Sequence, residues 1–120
     1  MNKKRVLIIN RKPPYGTANA REALDVALTC AIFEMPVSML FLGDGLYQLL
    51  KNQSPELINQ KKHEAMISSL PMYDIDQLYV TESDLQAREL TANDLVLPVT
   101  ILQEDALPEL IATQDRVMTF

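Results

Sequence analysis

An α/β fold, with helices on both faces of a mostly parallel sheet of about five strands, is what this sequence predicts. Three observations carry the prediction. Short runs of β-branched and aliphatic residues recur along the chain, and helical patterns separate them. The stretch from Thr17 to Glu34 sets Ala20, Ala23, Leu24, Ala27, Leu28 and Ala31 on one helical face, and alanine there lets a helix lie close to a sheet. In LFLGDGLYQLL, residues 40–50, an apolar run stops at Gly43-Asp44-Gly45 and a second begins at once, as at the carboxyl end of a strand in a β-α unit.

Taken in order, Val6 to Ile9 reads as a buried first strand. Arg11 to Gly16 is a loop, because its two prolines bar both helix and ladder. The helix from Thr17 to Glu34 is capped by Thr17 or Asn19, carries an Arg21–Asp25 pair on its outer face, and ends at Pro36. Val37 to Leu42 is the second strand, and Leu46 to Leu50 a short helix after the Gly-Asp-Gly turn. Ser54 and Pro55 mark the start of a largely polar helix that runs to about Ser69, with Pro71 as its stop. Gln77 to Val80 is the third strand, and Thr81 or Ser83 caps a short helix through Arg88. Leu95 to Val99 reads as a fourth strand, with Pro98 at its end or edge. A helix from Gln103 to Thr113 and a last strand from Arg116 to Phe120 complete the series. No linker, second core, internal repeat or low-complexity tract interrupts it, so the 120 residues read as one domain, 1–120.

Composition excludes several classes. Hydrophobic residues make up 48%, too many for a disordered chain. No apolar run approaches the ~20 residues needed to cross a bilayer. The apolar part of MNKKRVLIIN is too short for a signal peptide and fits a first strand. A single cysteine allows no internal disulfide and fits a reducing cytoplasm. A net charge of −5 makes the chain a poor candidate for gripping nucleic acid by itself.

Each candidate site has a plain reading beside a functional one. Gly43-Asp44-Gly45 is a tight strand-to-helix turn, or the floor of a pocket or a subunit contact. It lacks both phosphate-loop patterns, GxGxxG and GxxxxGK[ST]. Pro13 to Thr17 is a connector or an anion-holding helix start, with one glycine and no lysine after it. Cys30 sits late in a long helix without basic neighbours, which favours a structural thiol over a nucleophile or sulfur carrier. His63, in a Lys-Lys-His-Glu run, reads as a solvated surface residue, and nothing is spaced to share a metal with it. Tyr47, Met66, Met72, Tyr73 and Tyr79 are residue types enriched at protein contacts, though core packing explains them equally well.

Three segments in this order, PYGTANAREALDVAL, FLGDGLYQLL and YDIDQLYVTESDLQAREL, resemble the DsrE/DsrF-like sulfur-relay family, in its DsrF-type branch. The likeness runs over the whole chain: Gly16, Thr17, Arg21, Glu22, Leu24 and Asp25, then Asp44, Gly45, Gln48, Leu49 and Leu50, then Tyr73, Asp74 and Ile75, while tyrosine at position 15 is the main departure from the family's pattern. It implies a flavodoxin-like three-layer α/β fold. It implies TusB-like and TusD-like partners in a dimer of heterotrimers, which takes persulfide sulfur from TusA and hands it to TusE for 2-thiolation of the tRNA wobble uridine. It implies no cofactor. In the DsrE-type sibling the sulfur-carrying cysteine lies on the strand that leads into the short helix. Here that strand carries Tyr79 at the matching place, and a phenol cannot form a persulfide. The resemblance therefore implies a non-catalytic subunit, with Tyr15, Gly16, Gly43, Asp44, Gly45 and Tyr79 as a vestigial pocket or its subunit contacts. The rival readings are a stand-alone persulfide carrier using Cys30 and a small phosphate- or nucleotide-binding module.

Overall fold

The computed structural model describes residues 4–51 and 58–120. Five strands form one sheet: β1 (Val6–Asn10), β2 (Val37–Phe41), β3 (Gln77–Thr81), β4 (Thr100–Leu102) and β5 (Arg116–Thr119). Their spatial order is β4-β3-β2-β1-β5, and every pairing is parallel. The register sets Ile8 beside Met39 and Met39 beside Leu78, so alternate residues line up row by row on each face.

The two faces are covered unequally. Val6, Ile8, Met39, Phe41, Leu78 and Val80 belong to the larger core cluster, together with Ala23, Leu24 and Ala27 of helix α1 (Asn19–Ile32). Ile67 of α2 (Ile58–Ser68) and Leu85 of α3 (Glu82–Ala87) join the same cluster. Each such aliphatic side chain, fully withdrawn from water, contributes ~2 kcal/mol. The opposite face holds Leu7, Ile9 and Leu40, with Leu107 and Leu110 of α4 (Leu107–Ala112) packed against them. Because β4 and β5 lie at opposite edges, the segment carrying α4 must cross that whole face.

Several elements depart from the sequence reading. Leu95 to Val99 is not a strand; the ladder begins only at Thr100. Pro98 has no N–H to give a ladder. Leu95 instead forms an antiparallel bridge with Leu50, and the Val96 amide donates to the Leu49 carbonyl at 2.8 Å. The apolar character of 95–99 thus serves core packing, with Leu95 buried and Leu97 and Val99 against the main cluster. The expected helix from Gln103 to Thr113 is split into a 3-10 turn, Glu104–Ala106, and α4. Pro108, in the first turn of α4, cannot lie inside a continuous α-helix running from Gln103, since its ring would meet the carbonyl four residues back. The short helix after the Gly-Asp-Gly turn is a 3-10 segment that includes the turn, Gly43–Leu49. The expected cap at Ser54 lies outside the described residues, whereas Thr81 caps α3 as expected, its Oγ1 accepting from the Asp84 amide at 3.2 Å.

Candidate functional site

At the carboxyl ends of the strands, β1 finishes at Asn10, and the Leu42 amide donates to the Asn10 carbonyl at 2.9 Å. The chain then turns through Gly43, whose φ is +55°. Gly45 packs so closely on β1 that a Cβ there would lie 2.0 Å from the Asn10 carbonyl oxygen. No other residue fits that contact without backbone movement. The turn is thus dictated by packing as well as by conformation.

Helix α3 locks onto this turn from both of its ends. The Asp84 carboxylate, in the first turn of α3, accepts from the Gly43 amide at 2.9 Å. Arg88 reaches Asp44 at 3.0 Å and Asp84 at 3.5 Å, and its guanidinium lies 5.8 Å from the centre of the Tyr47 ring. The start of α3 is tied a second time to the segment after β4. Ser83 donates to Glu104 at 2.6 Å, and Gln103 donates to Glu82. The carboxylates of Asp44, Glu82, Asp84 and Glu104 are therefore all engaged with the chain's own donors at the place where α/β folds usually receive a ligand.

A buried polar link sits beneath. Gln48 donates through Nε2 to the Lys12 carbonyl at 2.9 Å, and its Oε1 faces His63 Nε2 at 3.0 Å. With the amide nitrogen committed to Lys12, Oε1 is the acceptor, so His63 carries its proton on Nε2. The link joins the loop after β1, the 3-10 segment and α2. This corrects the sequence reading of His63: the side chain is only 6% exposed. Its pKa lies below the ordinary value of 6.5, first because burial disfavours the charged ring and second because Arg21 is near. A signal for this was present, since His63, Ile67 and Leu70 follow one helical face and the latter two are fully buried. Arg88 and Asn10 also escaped the sequence reading, and Gln48 entered it only as part of the resemblance. Gln48 could have been suspected as a polar residue enclosed by Leu46 and Leu49.

The residues singled out from sequence are only partly gathered. Gly43, Asp44 and Gly45 are at the centre of the arrangement. Tyr15 is half-exposed and Gly16, at φ +88°, has open space around it; their loop is joined to the centre through the Lys12 carbonyl. Tyr79 lies in the middle of β3 on the other face of the sheet, packed with the Leu7, Ile9 and Leu40 cluster, and donates to Gln77 at 3.2 Å. Cys30 is half-buried against the main core near the end of α1, where the chain enters β2, at the opposite end of the sheet. Of the remaining aromatics and methionines, Tyr47 lies under Arg88, Met66 packs on the core, and Met72 and Tyr73 stand in solvent. Among the described residues, no three His, Cys, Asp or Glu side chains gather as a metal site, and no helix is long and apolar enough to cross a membrane.

Known proteins share this architecture and sequence. The fold matches the crystal structure of the YchN protein from E. coli with a TM-score of 0.81 over 98% of this chain and 99% of that one, at 20% identity. The chain is 43% identical to a TusC homolog of Pseudomonas aeruginosa, over 95% of this chain and 96% of the relative. It is 43% identical to the intracellular sulfur oxidation protein DsrF of Allochromatium vinosum, over 78% of this chain and 68% of the relative. A TusC homolog of Pasteurella multocida is 34% identical over 97% and 99% of the two chains. With the model of the DsrE/DsrF-like family also matching residues 4–120, the chain belongs to the DsrE/DsrF-like family.

Proposed function

We propose that this chain is a non-catalytic, structural subunit of a cytoplasmic sulfur-relay assembly. It stands with TusB-like and TusD-like subunits in a dimer of heterotrimers. The assembly receives persulfide sulfur from TusA and passes it to TusE, for 2-thiolation of the wobble uridine of tRNA. The chain itself touches neither nucleic acid nor membrane and needs no cofactor.

One observation carries the reading. No residue from Gln77 to Asp84 is a cysteine, so in no register does β3 bring a thiol to the start of α3. No thiol stands there whether Tyr79 or a neighbour is the matching position. The surroundings point the same way. A persulfide sulfur is anionic at neutral pH, and a helix start with free amides would stabilise it. Here the Asp84 amide is used by Thr81, and Glu82, Asp84 and Glu104 place negative charge on the spot. The same carboxylates oppose a phosphate ligand, which weakens the nucleotide-binding alternative. Cys30, against the core at the far end of the sheet, is poorly placed to receive sulfur at this junction.

Native mass spectrometry of the tagged chain, purified gently from its own cell, tests the reading. Two related small subunits in a fixed ratio are expected, and the complex carrying Cys30→Ser should transfer sulfur at the unmodified rate. A chain that arrives alone, or a transfer lost with Cys30 while the assembly stays intact, would overturn it.

A further inference from the structure

The amino end of the sheet carries a second feature, unconnected with the turn at Gly43. Helix α1 ends in an exposed pair, Ile32 and Phe33, the latter 72% exposed. The 3-10 turn Leu70–Tyr73 presents Met72, 84% exposed, and Tyr73. Between them runs a cleft of ≈ 350 Å³ lined by Ala31, Glu34, Met35, Pro36, Tyr73 and Asp74. Glu34 and Asp74 both lie at positive φ, +60° and +62°, at the two chain reversals that close these elements. A left-handed residue at such a place is more often glycine. The cleft thus has apolar walls, one aromatic ring and two acidic residues, with no cation among the described residues that line it.

That combination fits one kind of occupant. A Lys or Arg side chain has an apolar stem and a charged head, and it is held well by an aromatic face beside a carboxylate. A purely apolar side chain would bring no counter-charge to Asp74, an exposed acidic residue of the lining. A second copy of this chain would bring Glu34 and Asp74 of one molecule toward those of the other, at a net charge of −5 on each. The four exposed side chains offer on the order of 500 Å² of apolar surface, large for an idle patch and close to the roughly 450 Å² apolar share of one partner's side of a standard interface, so charge and not area separates the occupants.

We propose that the cleft between the end of α1 and the turn Leu70–Tyr73 is an anchor site for a protein partner that inserts one Arg or Lys side chain beside Tyr73 and Asp74, while its flanking apolar residues cover Phe33 and Met72. The proposal does not rest on the sulfur-relay reading, since it concerns the other end of the sheet and requires no sulfur chemistry.

The test is a titration of the isotopically labelled full chain, followed by amide NMR, with two short blocked peptides. One has a central arginine flanked by leucine and phenylalanine; the other differs only in a central glutamate. The arginine peptide should shift amides confined to residues 31–36 and 70–76, with binding weakened by salt. The glutamate peptide, and the arginine peptide on Asp74→Asn, should bind at least about tenfold more weakly. Asparagine accepts the left-handed backbone at 74, so that variant keeps its fold. Equal binding of the two peptides, shifts elsewhere, or no shifts would overturn the proposal. So would sedimentation showing a dimer that Phe33→Ser dissolves, because the occupant would then be a second copy.

Discussion

At the carboxyl ends of the strands, Arg88 holds Asp44 at 3.0 Å, Asp84 takes the Gly43 amide, and Glu104 takes the Ser83 hydroxyl. At the amino ends, Phe33 and Met72 stand in water on either side of an open cleft. These are two ends of one sheet, a few residues apart along each strand. The first is where α/β proteins customarily receive ligands. Here the chain's own side chains occupy it, linking β2, α3 and the segment after β4 into one unit. The second has polar and apolar surface that the fold itself leaves uncovered. The contrast teaches that the position of a site in a fold and the presence of one are separate matters. Position follows from topology, whereas availability depends on whether side chains from neighbouring elements already satisfy one another.

The tied end is the place to break first. Gly45→Ala should cost about 3 kcal/mol or more in urea unfolding, because its Cβ would lie 2.0 Å from a backbone oxygen that β1 holds fixed. Gly16→Ala, at φ +88° with nothing within 4 Å, should cost only the backbone strain, about 1–2 kcal/mol. Equal costs would mean that the turn can back away from β1, and the tied end would be looser than described. Arg88→Met should cost about 1–2 kcal/mol, most of it from leaving the half-buried Asp84 without its cation. Asp44→Asn should cost less than about 0.5 kcal/mol, since that carboxylate is 60% exposed and water screens the pair.

How far the sequence was readable follows the same division. Runs of like residues were legible. The alanine stripe of α1 is buried at Ala20, Ala23 and Ala27, and the Gly-Asp-Gly turn sits directly after β2, as the pattern requires. Elements whose identity depends on distant partners were not. Leu95 to Val99 has strand composition, but its partner is the segment after Gly43–Leu49, and Pro98 delays the ladder to Thr100. Of the candidate site, the glycines were legible because their chemistry is local. Arg88 was not, because the partner that draws it onto the turn, Asp44, lies 44 residues away, and its local contact with Asp84, one turn back, does not reveal that role. Tyr79 could be placed on its strand, but its face could not be fixed before the register was known. His63 was hidden by its lysine neighbours, which advertise a solvated face that the ring itself does not share.

His63 offers a smaller and reversible way to loosen the tied end. Its folded-state pKa is depressed, so below the ordinary value of 6.5 the unfolded chain takes up a proton that the folded chain still refuses. Its contribution to stability is therefore complete above that value. It is lost progressively as pH falls from there toward the lower folded-state value, and then levels off. Urea midpoints should drop between about pH 7.5 and pH 5, and His63→Gln should reduce that drop while leaving the response of Gly45 variants unchanged. An identical pH response with and without His63 would place its burial outside the stability of the fold.

The smallest effect is expected at the open end, and its smallness is the point. Phe33→Ser removes a large aromatic side chain, a change that costs about 3–5 kcal/mol where such a ring is fully buried. At 72% exposure the ring gives up little contact with the rest of the chain when it is removed, and the substitution should move stability by no more than about 0.5 kcal/mol in either direction. Its position just past the last turn of α1, where the backbone amide donates to the Thr29 carbonyl, is kept by serine. Urea unfolding of the isolated chain reads this directly. A loss of more than ~1 kcal/mol would show that Phe33 is part of the packed molecule, and the division between a tied end and an open end would have to be redrawn with α1 on the tied side.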